Sequence, residues 1–496
     1  MSSTPGVTVV VPIYGDLESL LECVRSLKST VDFSRHHVLL VNDVGPDADV
    51  IEEAMLREIE GLDGFEYHRN PHNLGFVGTC NRAALELDQS DRDILLLNSD
   101  TVATDGFVDA MEAVLYADER HGVVTARSNS ATIASIPYRL ADPASARTFE
   151  RTQAVYDTIT PFLPASTVVP VAMGFCFLTR RELIRKYGLF AQEFAPGYGE
   201  ENDYCLRINK AGYLSVMANT ALVFHEGSKS FVSVGRNEIR DAHEKLLDSK
   251  YPYYRRAVRY YNYFGVRAAE WFADVIVPRD GRPKAEIELR GLSDALPQAG
   301  QRFEALARIR TQLLEPLLER FDVQIVADPD DAVALGVDPS RARIVNATPD
   351  PVEIFDVGVV IADGVHGQRL VEANRRHLRT VGVSVLDPAP IAWSREVGAG
   401  ESRVAADELH AFADWWIELG GGRRDLSRER PSLSGAVPEL LPGPGSDGGA
   451  VVDEIESVVR AGAPDLAAFL ERLERRWAHF TAVELYLDRQ RRTASQ

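Results

Sequence analysis

The sequence predicts an α/β protein: a mostly parallel, Rossmann-like sheet first, then a smaller α/β domain and a helical C-terminus. Three observations predict this. Strand and helix patterns alternate through the first hundred residues with short connections, which implies right-handed βαβ units. Two of those strand patterns, VTVVVPI and DILLLNSD, are near-continuous apolar runs, as strands covered on both faces require. From about Lys284 a second series of short strand patterns begins. At 496 residues the chain is too long for one ordinary core.

Taken in order, Val7–Ile13 is a β-branched strand and Leu17–Ser29 a helix with apolar Leu20, Leu21, Val24 and Leu27 at helical spacing. His37–Asp43 is a second strand, IEEAMLREIEG a second helix ending at Gly61, FEYHRN a third strand, FVGTCNRAALEL a third helix and Asp93–Asp100 a fourth strand. Gly122–Ala126 reads as another strand. Ser128 to about Pro164 reads as loops with a short helix. Val168–Leu178 reads as one buried strand, RRELIRKYG as a short helix, and Ser215–Gly227 as two short strands ending at His225. A helix, Asn237–Ser249, and the aromatic stretch YPYYRRAVRYYNYF follow. In the second series, QRFEALARIRTQLLEPLLERF is a long helix interrupted near Pro316. FDVQIVAD, RARIVNA, FDVGVVIAD and VGVSVLD are strands, with VHGQRLVEANRRHLRT a helix before the last. The domains expected are 1–265, 284–420, a linker at 421–450 and C-terminal helices at 451–496.

Composition narrows the function. A hydrophobic fraction of 45% and a charged fraction of 26% suit a globular protein. The net charge of −20 argues against an overall electrostatic grip on nucleic acid. Cys23, Cys80, Cys176 and Cys205 form no CxxC pair and are too dispersed for a disulfide framework, so a reduced cytoplasm is the expected setting. The first residues lack a basic segment followed by an apolar one, and the richest apolar run is too short to span a bilayer.

Ligands of open α/β sheets bind outside the carboxyl ends of strands. Asp43 and Asp100 both stand at such ends. A strand-end carboxylate facing a crevice can hold a divalent cation and leave positions for diphosphate oxygens. An aspartate there also starts turns or caps helices, and either reading suits Asp100. Asn73 and Gly75 form a turn into a helix whose first N–H groups are placed to approach a ribose or phosphate, with Arg69 upstream as a cation. His225 ends a strand, where a neutral imidazole can complete a metal shell or serve the fold alone. In GYGEENDYCLR, Glu200, Glu201 and Asp203 open a helix, which suits its dipole. That alone does not account for the glycines and tyrosines framing them.

Together, VTVVVPIYGD, LLVND, NLGFVGTCNRA, LLLNSD, GFCFLTRRELIRKYGLF, GYGEENDYCLR and VFH resemble a family 2 glycosyltransferase of the GT-A fold, in the rhamnosyl- and galactofuranosyl-transferase branch. The resemblance covers about Val7 to Phe231. It implies an inverting transfer of a sugar from a nucleotide-diphosphate donor, UDP or dTDP, to a glycan or lipid-linked acceptor in surface polysaccharide assembly, with Mn²⁺ or Mg²⁺. It also implies roles. Pro12, Tyr14 and Ser99 line the nucleotide site and Asp43 binds the base, with Arg69, Asn73 and Gly75 beside them. Asp100 and His225 hold the metal; the triplet Asn98-Ser99-Asp100 begins with Asn where the family has Asp, so Asp100 carries most of the charge. Glu201 is the general base, with Glu200 its rival. Gly174, Phe175 and Asp203 lie on the acceptor side. The rival readings are a sugar nucleotidyltransferase, disfavoured because VPIYGDLES is no Gly-rich basic loop, and a catalytically silent nucleotide-sugar-binding scaffold. The 284–420 domain shows neither a phosphate loop nor an acid–base cluster. The C-terminal helix reads as a packing or homodimer helix in preference to a peripheral contact with the inner face of a membrane.

Overall fold

The computed structural model describes residues 4–138, 148–226, 236–277, 281–290, 292, 296–345, 353–361, 374–385, 413–419, 439–440, 448–463 and 465–494. The chain forms two compact units, the first ending at Val266 and the second running from Arg267.

The strands of the first unit are β1 (Val7–Ile13), β2 (His37–Asn42), β3 (Phe65–Arg69), β4 (Asp93–Leu97), β5 (Thr101–Ala103), β6 (His121–Arg127), β7 (Ser166–Val169), β8 (Cys176–Thr179) and β9 (Leu214–His225). They make one sheet in the order β3-β2-β1-β4-β8-β6-β9-β5, with β7 also paired to β9. The block β3-β2-β1-β4 is parallel. Beyond it β8 runs antiparallel to β4 and β6, and β5 and β7 antiparallel to β9. Val7, Val9, Val10, Val11 and Ile13 are all buried, which is why β1 can occupy the sheet centre. The helix Leu17–Thr30 begins where Asp16 accepts a hydrogen bond from the Ser19 amide, and it buries Leu20, Cys23, Val24 and Leu27. Register sets Pro12 opposite Val41 and Ile13 opposite Asn42, so the carboxyl ends of β1 and β2 are level.

Two expectations about strands are corrected. Val168–Leu178 is two strands joined by a turn, because Pro170 has no N–H to continue the ladder of β7. Ser215–His225 lies within a single strand that bends in place of breaking. Its register slips between Ala126 and Arg127 of β6, where Arg127 Nε donates to the buried Asn219 Oδ1 at 2.9 Å.

The second unit has strands β10 (Lys284–Glu288), β11 (Asp322–Val326), β12 (Ala342–Val345), β13 (Phe355–Ile361), β14 (His377–Ser384), β15 (Trp415–Glu418) and β16 (Glu439–Leu440). They form one parallel sheet in the order β12-β11-β10-β13-β14-β15-β16. Ile287, Val323, Ile325, Val357, Val359, Val381 and Val383 form a core with Leu306, Leu313 and Leu317, and with Val451, Val452 and Ile455. The long helix loosens into a wider turn at Arg310–Leu314, because the ring of Pro316 collides with the carbonyl four residues back.

The helix expected through Thr380 is also corrected: β14 already begins at His377. The part of that expected helix at 365–373 and most of the linker expected at 421–450 lie outside the described residues. β14 tolerates its polar residues because they are paired. His377 Nε2 and Glu286 Oε1 are 2.9 Å apart, and Arg376 and Gln324 donate to Glu286 Oε2 at 2.6 and 2.7 Å. This is the acid–base cluster the sequence did not reveal in this unit, and it is sealed: Glu286 and His377 are fully buried. In the last helix, Leu466–Ala494, the stripe Leu470, Leu473, Trp477 and Phe480 is buried, with Trp477 against Trp271 and Phe272. Among the described residues no helix is long and apolar enough to cross a membrane.

Candidate active site

The level carboxyl ends of β1 and β2 create the first part of the site. The Asp43 amide donates to the Ile13 carbonyl at 2.7 Å, and the Asn70 amide to the Asn42 carbonyl at 2.8 Å, so the three strand ends are laced together. Asp43 is buried, and its Oδ1 accepts from Asn70 Nδ2 at 2.8 Å and from the Leu74 amide at 2.7 Å. The turn that follows is shaped by Asn42, whose Oδ1 accepts from the Val44 amide at 2.9 Å. Val44 has φ +54°, a costly place for a β-branched residue. Beside it a Cβ on Gly45 would stand 1.7 Å from the Tyr14 carbonyl oxygen. Glycine is obligatory where the chain runs so close to Tyr14. Pro12 and Tyr14 are half-buried on the same edge.

The Asn73–Gly75 turn is built differently from the expectation. Asn73 Oδ1 accepts from the Gly75 amide at 2.9 Å, and the Val77 amide donates to the Pro196 carbonyl at 3.3 Å. The Leu74, Gly75 and Val77 N–H groups are therefore spent inside the protein, and the helix Gly75–Arg82 does not offer them to a phosphate. Arg69, expected as a cation here, pairs through its guanidinium with Asp49 and Glu52. The cation joined to this corner is Arg82, which donates to Asn70 Oδ1 at 2.6 Å. Sequence reasoning passed over Asn70 and Arg82. The one available signal was Arg82 lying a helical turn after Gly78 in the same motif.

The second part of the site forms past β4. Ser99 and Asp100 are buried in the turn, and pairing of Thr101 with His225 across β5 and β9 brings Asp100 to the imidazole. His225 Nε2 lies 3.3 Å from Asp100 Oδ1 and 3.5 Å from Asn98 Nδ2. His225 Nδ1 donates to the Ser130 carbonyl at 2.9 Å, and its amide donates to Asn129 Oδ1 at 2.8 Å. With the proton fixed on Nδ1, a neutral ring turns the Nε2 lone pair toward a carboxylate oxygen. That contact is repulsive unless a proton or a cation lies between them. Burial alone would lower the His225 imidazole, but the neighbouring Asp100 carboxylate outweighs it and raises it. A carboxylate and an imidazole whose other nitrogen is tied to a carbonyl suit a divalent cation. A second group, His36, Asp109 and Glu112, has ligand-like spacing, but Arg35 pairs with both acids. His36 also accepts from the amide of Val7, at the start of β1 and so at the opposite end of the strands from the ligand edge.

The third part is the first turn of the helix Glu200–Lys210. Glu200 is buried and its Oε2 has no hydrogen-bond partner. Burial, and then the charge of Glu201, push the Glu200 carboxyl well above the usual range. Glu201 is half-buried, and desolvation raises its carboxyl as well. Its side chain lies over Gly174, where a Cβ would meet Glu201 Cγ at 3.4 Å. The next residue, Phe175, stacks on His225 with ring centres 5.3 Å apart. One dipeptide thus touches both the Asp100–His225 pair and the Glu201 carboxylate. Asp203 stands apart from the acceptor-side place expected for it. It is fully buried, held by Lys250 at 2.6 Å, by Arg207 at 3.3 Å and by the Tyr251 hydroxyl at 2.9 Å, and so anchors the helix. Tyr254, one of the tyrosines of the aromatic stretch, donates to Asn202 Oδ1 at 3.1 Å, next to Glu201.

No curated protein matches the chain. Among solved structures, the mannosyltransferase PcManGT from Pyrobaculum calidifontis, in complex with GDP-Man and Mn²⁺, is similar at 16% identity and TM-score 0.37, over 62% of this chain and 76% of that one. GalNAc-T7 with UDP, GalNAc and Mn²⁺ is similar at 12% identity and TM-score 0.38, over 55% of this chain and 56% of that one. Both likenesses are too distant to assign a ligand. Residues 5–243 match the model of the family described as Glycosyltransferase like family 2, a span that holds all three parts of the site. That match covers just under half of the chain.

Proposed function

We propose that this domain transfers a sugar, with inversion, from a nucleotide-diphosphate donor to a hydroxyl of a glycan or lipid-linked acceptor, in surface polysaccharide assembly. The observation that carries the reading is the Gly174-Phe175 dipeptide, which sets a cation-fitting pair and a reachable carboxylate on two sides of one short segment. Asp100 and His225 hold Mn²⁺ or Mg²⁺. When bound, the cation neutralises charge on the donor diphosphate. Pro12, Tyr14 and Asp43 hold the nucleoside, Asp43 using the oxygen that Asn70 and Leu74 leave over, and UDP or dTDP is the expected carrier.

Glu201 is the base, because its half-buried carboxylate reaches the crevice while Glu200 is closed off. The different environments divide the labour: Glu200 keeps its proton and Glu201 accepts one. The acceptor hydroxyl gives its proton to Glu201 as its oxygen bonds to the anomeric carbon. The bond from that carbon to the diphosphate oxygen breaks on the opposite face, and the nucleoside diphosphate leaves with the electron pair.

Thermal shift with UDP-, dTDP- and GDP-sugars, each with and without Mn²⁺, tests the donor site. One nucleotide at a hundredfold its dissociation constant should stabilise the domain by about 2.7 kcal/mol. The shift should need the cation and vanish in Asp100→Ala. No shift with any nucleotide would sink the proposal. Binding without turnover, across a broad acceptor panel, would point to the silent scaffold.

A further inference from the structure

The turn that aims the two glutamates is strained, and a residue outside the three parts of the site fastens it. Tyr198 and Gly199 both have left-handed backbone, φ +75° and +93°. Glycine adopts this freely, whereas a residue with a Cβ does so at a cost of ~1–2 kcal/mol. Such a conformation persists only where the surroundings hold it. Here the carbonyls of Gly197 and Tyr198 both accept from one nitrogen, His243 Nδ1, at 2.9 and 3.0 Å. Carbonyls only accept, so Nδ1 carries a proton whether the ring is neutral or charged. The same ring meets Phe194 edge-on, with centres 5.5 Å apart.

His243 lies in the helix Arg236–Lys250. The last residue of that helix, Lys250, holds Asp203 at 2.6 Å. One helix therefore grips the segment on both sides of the carboxylates, at 197–198 and at 203. On the remaining side the Pro196 carbonyl is fixed by the Val77 amide. Lys250 and Tyr251 lock the helix that carries the glutamates, while His243 bonds to both the Gly197 and Tyr198 carbonyls of the irregular turn that sets its starting angle.

Resting on the transferase reading above, we infer that His243 is a positioning residue. Its paired hydrogen bonds hold turn 197–199 so that Glu201 lies beside Gly174 while Glu200 stays out of water. His243 touches neither donor nor acceptor in this scheme; it acts through the two glutamates.

Two variants of the full chain separate positioning from mere packing. His243→Phe keeps a ring against Phe194 and removes the donor. His243→Asn removes the ring but restores an N–H close to the place of Nδ1. Release of nucleoside diphosphate is followed with the sugar nucleotide selected by the thermal-shift panel. His243→Phe should lower kcat roughly ten- to a hundredfold, the scale of a small misplacement of a reacting group. Donor KM should stay within about twofold, since the loss falls on the chemical step. His243→Asn should regain most of the rate. An unchanged kcat in His243→Phe, or a loss that His243→Asn does not recover, overturns the inference.

A second readout does not need turnover. Carboxyl titrations of Glu200 and Glu201 are followed by NMR of chain labelled at the glutamate carboxyl carbon, and assigned with Glu200→Gln and Glu201→Gln. In His243→Phe both should fall toward the ordinary carboxylate range as the turn admits water. Unchanged titrations overturn the inference even if no donor is turned over, an outcome that by itself would sink the transferase reading instead.

Discussion

Glu200 in the first unit and Glu286 in the second are both buried glutamates, yet their carboxyls are displaced in opposite directions. Burial, followed by the charge of Glu201, drives Glu200 well up, and its Oε2 has no partner. Burial alone would raise Glu286 too, but hydrogen bonds and charge from His377 and Arg376, with Gln324 beside them, more than offset it and bring it down. Burial pushes the His377 imidazole down, and the Arg376 guanidinium, 2.6 Å from Glu286, supplies the lasting countercharge. The contrast separates two uses of a buried acid. Glu286 is solvated by the protein and serves the fold. Among the described residues Glu200 and Glu201 have no ion-pair partner, the kind of imbalance that marks functional sites.

The largest expected effect tests that use. Glu201→Gln should lower transfer by about 10²–10⁴-fold, the usual worth of a general base. Its melting temperature should not fall, because a strained carboxylate has been removed. Glu200→Gln should keep far more activity than Glu201→Gln; the reverse order would exchange the two roles. The paired acid should behave in the opposite way. Glu286→Ala leaves the Arg376 guanidinium buried without its nearest carboxylate, which should cost roughly 3–5 kcal/mol. Calorimetry should record this as a lower midpoint for unfolding of the second unit, and an unmoved midpoint would show that Glu288, 3.5 Å from Arg376, suffices.

The pH dependence sharpens the comparison further. Glu286 has a folded value below its unfolded one. Its stabilisation is present above the unfolded value of ~4.3 and is lost as pH falls through the folded value. Glu200 has a folded value above its unfolded one, so its contribution is full below that unfolded value and is lost as pH rises through the folded value. Glu200→Gln should therefore melt a few degrees above wild type at pH 8, and the gap should close toward pH 4. A gap that widened on acidification would mean Glu200 is ionised and paired in the folded protein.

How much of this was legible in the sequence follows from the same physics. β1 and β4 were readable because a strand buried on both faces must be apolar throughout; the ends of β2 and β4 then located Asp43 and Asp100. Glu200 and Glu201 were readable as a cluster, but the roles proposed for each depend on exposure, which residue type does not reveal. Val381–Ser384 of β14 reads as a strand, but its first half, His377–Thr380, reads as helix because His377 and Arg379 look solvent-facing; their partners lie on other strands and helices, as Glu286 does for His377. The places of His243 and Tyr254 were invisible because only tertiary packing brings His243 to the turn before Glu200 and Tyr254 to Asn202 in the helix after it.

Arg69 and Arg82 give the finest test, since the sequence points to Arg69 for the proposed nucleotide corner and the structure joins Arg82 to Asn70. Arg69 pairs with Asp49 and Glu52 at the surface, whereas Arg82 donates to Asn70 Oδ1 at 2.6 Å. Asn70 then has a single sensible orientation. Its oxygen faces a cation and its nitrogen faces the Asp43 carboxylate, which it meets at 2.8 Å. Arg82→Ala removes the contact that fixes the amide and loosens Asp43, so donor affinity should weaken several-fold, the worth of one hydrogen bond at ~1 kcal/mol. Arg69→Ala should leave donor affinity and melting temperature unchanged, because a pair that open to water is screened. Titration calorimetry with the selected nucleotide reads both. If Arg69→Ala weakens binding and Arg82→Ala does not, the guanidinium of Arg69 must leave Asp49 and Glu52 for the donor, and the corner assembled around Asn70 is not the nucleotide site.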